Sequence, residues 1–201
     1  MTITHHWRRG GDWDTAEERT KVDEWSCDPF VLWTLQAVMD GHLKAGPYHV
    51  TMDQTMAGKT RKMEIDAILP SSFHMKSPEM ETIMLKQGTW MKMGGKWMAM
   101  PGAMSGMVSG AIATGMEKGM ANIKNLQCLG PQSVEGKTYT TYDFDSSGEA
   151  MGIKATSHVT LYKGDNGLPA IMIVEGEAMG HKSKTVQHMT YDPAITISPP
   201  Q

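Results

Sequence analysis

Trp90-Met91-Lys92-Met93-Gly94-Gly95-Lys96-Trp97-Met98-Ala99-Met100 consists of two short runs separated by a Gly-Gly pair. Such a pair between two runs of this kind signals a tight β-hairpin. The same reading extends outward in both directions. Upstream, Tyr48, Val50 and Met52 alternate with His49, Thr51 and Asp53. Met63, Ile65, Ala67 and Leu69 alternate with Lys62, Glu64, Asp66 and Ile68 until Pro70 breaks the run. Phe73 and Met75 flank His74, and 79–87 carries Met80 and Met84 on one parity and Ile83 and Leu85 on the other. Downstream, 123–129, 139–145, 153–162, 169–177 and 182–191 read as strands, with turns at 134–137, 146–148 and 164–167. A period of two predicts an antiparallel sheet with unlike faces, of about eleven strands.

Two segments change period. Asp28 and Pro29 suit an N-cap and a first helical position. Phe30, Trp33, Ala37, Val38 and Gly41 then follow helical spacing, and Val31, Leu32, Leu35 and Met39 widen the stripe. A helix apolar most of the way round is normally buried. This one runs for about four turns, until Gly46-Pro47 ends it. Pro101 stops the sheet, and over 102–122 Met104, Met107, Val108, Ala111, Ile112, Met116 and Met120 fall on one helical face. Gly102, Gly106, Gly110, Gly115 and Gly119 share that segment. An interior Gly costs a helix about 1 kcal/mol relative to Ala, so this helix needs packing to hold it. Residues 1–28, with Trp7, Trp13 and Trp25 and a charged run, are too short for a core of their own and read as an N-terminal arm. The rest, 29–201, reads as one domain.

The chain of 201 residues has 20 Met against 3 Phe, so flexible thioethers fill apolar volume that bulkier residues usually fill. A net charge of -3 leaves no electrostatic footprint for nucleic acid. No stretch approaches the ~18 apolar residues of a membrane span. The polar start lacks the apolar core of a signal peptide. Cys27 and Cys128 form no CxxC and no zinc spacing. Two alternatives stay open for them: a disulfide, or two structural thiols.

The order of elements, with "PYHVTM", "WMKMGGKWMAM", an inserted helix, "VEGKTYTTYDFD" and "GDNGLPAIMIVEG", resembles the LolA/LppX-type lipoprotein-carrier family over about residues 29–198. The resemblance implies a mainly β, α+β fold: a strongly curved, eleven-stranded antiparallel half-barrel with helices packed in its concave face. It implies acyl chains held in the apolar space between, a periplasmic or cell-envelope location, and a lipid or acylated protein as partner. The carrier proper has an Arg in its cavity. Arg stands here only at positions 8, 9, 19 and 61, so the resemblance implies the looser role of binding an acylated or other apolar ligand.

The first candidate site is that apolar cavity. Its expected lining is Trp33, Met52, Met63, Trp90, Met91, Met93 and Met98. The inserted helix would add Met104, Met107, Val108, Ile112, Met116 and Met120. Sequence parity alone does not tell whether Met91 and Met93 or Trp90 and Lys92 point inward.

The second candidate is Cu(I), which thioethers select, at Met91, Met93, Met98 and Met100. His49, His74, His158, His181 and His188 lie elsewhere in the sequence, and His5-His6 is a weak metal site or none. The third is acid–base chemistry. Gly-x-Ser-x-Gly, His-Glu-x-x-His and a P-loop ending are all missing. Asp143 and Asp145 share a strand face, but read as solvated charges beside a turn. The expectation is a carrier with no catalytic residues and no cofactor.

Overall fold

The computed structural model describes residues 31–101, 122–150, 153–178 and 180–200. Among the described residues the helix α1 (Val31–Lys44) precedes β1 (Tyr48–Met56), β2 (Lys59–Ile68), β3 (Ser72–Lys76), β4 (Glu81–Leu85), β5 (Gly88–Met93) and β6 (Lys96–Ala99). Then follow β7 (Ile123–Val134), β8 (Lys137–Ala150), β9 (Ile153–Lys163), β10 (Pro169–Ala178) and β11 (His181–Tyr191). They form a single eleven-stranded sheet in the order β6-β5-β4-β3-β2-β1-β11-β10-β9-β8-β7. Every pairing is antiparallel, and the sheet is curved and open. Its two edges, β6 and β7, are the strands joined by residues 100–122. The segment expected to form the inserted helix falls largely outside the described residues, as does the N-terminal arm.

Turn chemistry fixes the hairpins. Met93 pairs with Lys96 across Gly94 (φ 56°) and Gly95 (φ 79°). Both central residues are left-handed, the geometry that matches the twist of the flanking strands. Ala57 (φ 51°) with Gly58 (φ 75°), and Glu135 (φ 54°) with Gly136 (φ 78°), make the same kind of turn. The expected turn at Ser146-Ser147-Gly148 is corrected: β8 runs through it to Ala150. Ser146 pairs with Ser157 and Ser147 with Thr156, so small hydroxyl residues that favour turns locally are held in a ladder by their partners.

α1 lies on one face of the sheet. Leu35 and Val38 pack on Tyr142, Phe144, Val159 and Leu161. Register carries that face across the sheet into a second cluster of Tyr48, Val50, Ala67, Phe73 and Met84. His42, buried in the last turn of α1, joins the two halves. Its ring packs tilted against Tyr48, with centroids 4.6 Å apart, and it hydrogen-bonds the Tyr191 hydroxyl at 2.8 Å. The expectation of a helix buried all round is met on one stripe only. Leu32, Trp33 and Leu43 are exposed, Trp33 to 81%. Gly46 (φ 88°) closes the helix in the left-handed conformation typical of a C-terminal stop.

Candidate functional site

The register settles which strand residues share the α1 side, because directly paired residues point to the same face. Met52 pairs with Met63, and both lie two residues from the pair of buried Val50 with partly buried Ile65. Ile65 pairs with Met75, Met75 with Thr82, Thr82 with Met91 and Met91 with Met98. Met93 and Met100 share this parity. On the other half, Val50 pairs with Met189, and Met172 lies beside Leu161. Met56 and Met84 fall on the same side as well. Every methionine in a described strand therefore lies on the side of the sheet that carries α1.

The far side carries opposite chemistry. His49–Asp66 (2.7 Å), Lys62–Asp53 (3.7 Å) and Lys184–Glu175 (2.8 Å) all lie there. Glu81 accepts a hydrogen bond from the Lys92 ammonium at 2.9 Å and lies 2.9 Å from His74. Lys92 first, then His74, holds the Glu81 carboxyl below the usual glutamate range. Trp90 belongs to this side, paired with Ile83 and Ala99, so it does not share the surface of Met91, Met93 and Met98. Its ring lies over Gly88, where a Cβ would meet it at 3.2 Å. Trp97 is also on the far side, with the Lys92 ammonium 5.4 Å from its ring centroid.

The candidate surface is then divided. Met52, Met63, Met91, Met93 and Met98 stand together on the α1 side of the sheet. Met93 and Met98 are exposed, to 58% and 50%. Trp33 stands on α1 itself. Met104, Met107, Val108, Ile112, Met116 and Met120 lie outside the described residues. Arg61 has α1-side parity beyond Met63 and is exposed, with Glu79 3.9 Å away.

The sequence reading missed the grouping around His158. Its Nδ1 is 2.9 Å from Asp145 and its Nε2 3.1 Å from Asp143. Asn125 donates to Asp145 at 2.6 Å, and the Thr160 hydroxyl donates to Asp143 at 2.9 Å. The hydrogen bond to Asp145 raises the His158 pKa against the opposing effect of burial, helped by the charges of Asp143, Asp145 and Glu175. Asn125 and then His158 lower that of Asp145. With both ring nitrogens engaged by carboxylates, His158 presents no lone pair to act as a general base. A groove of about 930 Å³ runs past it, lined by far-side Asp145, His158, Glu175 and Lys184 and also by Ser157 and Ser183 of α1-side parity, among others. Those charges already pair with one another, and none of the described methionines expected to line the apolar cavity borders this groove.

Among the described residues no group of three or more His, Cys, Asp or Glu is placed to hold a metal ion. Nor, among them, is any helix long and apolar enough to cross a membrane. Cys128, beside Tyr142 on the α1 side, is disulfide-bonded. The chain's other cysteine is Cys27.

Two solved structures share this architecture. The Mycobacterium tuberculosis lipoprotein LppX matches with a TM-score of 0.57 at 10% identity, covering 85% of this chain and 100% of its own. LprF from Mycobacterium bovis matches with a TM-score of 0.56 at 12% identity, covering 87% of this chain and 99% of its own. The chain has the LolA/LppX-type fold. No protein-family model matches the sequence, and no curated protein matches it.

Proposed function

We propose that the protein is a non-enzymatic carrier for an apolar ligand containing acyl chains, a lipid or an acylated protein of the cell envelope. The observation that carries this reading is the segregation of side chains by face. All described strand methionines lie on the α1 side, while the ion pairs between neighbouring strands lie on the other. Met172 packs against the cluster that α1 covers, Met84 is buried in the second cluster, and Met93 and Met98 are open. Thioether side chains re-pack around irregular apolar shapes at low cost, which suits a ligand of variable chain length. An exposed apolar patch on an otherwise charged domain marks an interaction surface. The fold shared with the lipoprotein LppX supports the same reading. In this reading the α1 side is the concave face.

The test is native mass spectrometry and lipid extraction of the purified protein, with displacement of a fluorescent fatty-acid probe. Bound lipid is expected, and Met91→Asp with Met98→Asp should abolish probe binding, whereas Lys62→Ala on the far side should not. Protein that carries no lipid and binds no probe would overturn the proposal.

A further inference from the structure

We infer that the open end of the β5–β6 hairpin is a three-thioether site for Cu(I), made by Met91, Met98 and Met100. Met91 and Met98 are direct cross-strand partners on the α1 side. Such partners have Cα atoms about 4.5–5.5 Å apart. Met100 lies two residues beyond Met98 on the same side, about 7 Å along the strand by its rise. Its amide donates to the Thr89 carbonyl at 2.8 Å, which keeps this stretch alongside β5 beyond the last residue of β6. Met100 is therefore the diagonal neighbour of Met91, within reach of long side chains. Each methionine has three rotatable bonds, so the three sulfurs can converge on one point above the hairpin.

Thioethers are neutral, soft donors. They select Cu(I) over the harder divalent ions that need imidazole or carboxylate. Met93 shares the face but pairs with Lys96, which carries the only charge among the α1-side residues of the hairpin. The Lys96 ammonium repels a bound cation most strongly at that end. It shifts the preferred set away from Met93 and toward Met100. Met98 is half exposed, which leaves an entry route for the ion, and Met91 and Met100 are more covered.

The site is tested by anaerobic titration of the whole, disulfide-intact chain with Cu(I), using bicinchoninate as competitor. One Cu(I) per chain is expected. Met91→Leu, Met98→Leu or Met100→Leu should each weaken it at least tenfold, and Met93→Leu should leave it within about twofold. Leu is close to Met in volume, so these variants should fold. The unaltered protein gives a second reading. With methionine methyls labelled with carbon-13, one equivalent of Ag(I) should shift the resonances of Met91, Met98 and Met100. Equal Cu(I) affinity in the chain with all three replaced, a loss at Met93→Leu as large as at Met91→Leu, or unshifted methyls would each overturn the assignment. None of these readouts depends on whether a lipid binds.

Discussion

The His42 ring and the Tyr191 hydroxyl are 2.8 Å apart, which ties the last turn of α1 to the end of β11 across 149 residues of sequence. Burial lowers the pKa of His42 and raises those of both Tyr48, to about 12, and Tyr191. All three therefore stay neutral near pH 7. A histidine whose folded pKa is depressed binds fewer protons than the unfolded chain, so stability falls as pH drops below about 6.5. The fall continues down to the folded value and then stops. Thermal melts between pH 4 and 8 should show this acid limb, and His42→Gln should flatten it. Tyr191→Phe should cost about 1–3 kcal/mol by leaving His42 without its buried partner.

His158 predicts the opposite slope. Its folded pKa is raised, so its contribution is fully present below about pH 6.5 and is lost as pH rises through the folded value. The pairs with Asp143 and Asp145 are about half exposed on the His158 side, so water and salt screen them. Melts from pH 6 to 9 should show a small alkaline loss that His158→Gln removes and 1 M NaCl shrinks. An unchanged slope in the variant would show that His158 is not its source.

Thr82 is buried between Met75 and Met91, and its hydroxyl has no hydrogen-bond partner among the described residues. A buried, unpaired hydroxyl costs free energy that a methyl group of the same shape does not. Thr82→Val should stabilise the protein by about 1 kcal/mol, a rise of about 2–4 °C in Tm for a chain of this size. A lower Tm would mean that the hydroxyl is satisfied in solution.

Ala57 holds φ 51° in the β1–β2 turn, beside Gly58 at φ 75°. An L-residue with a Cβ pays about 1–2 kcal/mol there, and glycine does not. Glycine gives part of this back through the greater freedom of the unfolded chain. Ala57→Gly should raise the denaturant midpoint by up to about 1 kcal/mol equivalent with an unchanged m-value, whereas Gly58→Ala should lower it.

The sheet was legible because alternation and turn residues agree along most of the chain. Gly94-Gly95 and Glu135-Gly136 mark turns both in the sequence and in the structure. Sequence parity could not orient Met91 against Trp90, since both are large and apolar. Only the chain of pairings through Thr82 and Met75 to Ile65 assigns the faces. The His158 cluster was hidden for a related reason. Asp143 and Asp145 read as turn-side charges until β9 places a histidine between them. Leu32 and Trp33 carried a helical pattern that predicted burial, and pattern alone does not say how much of a helix's circumference its neighbours cover.

The pairing of β1 with β11, from Tyr48–Tyr191 to Met56–Ser183, sets an order of assembly. All the other pairings join strands that are consecutive along the chain, so each can zip from a short turn. The β1–β11 contact instead closes a loop that contains nearly the whole domain, and the entropy of that closure is lost before any contact compensates it. The protein should therefore fold as two arrays of hairpins, β1–β6 and β7–β11, that meet late along one line. Destabilising changes along that line, at Met189, should chiefly speed unfolding, whereas changes within either array should slow folding.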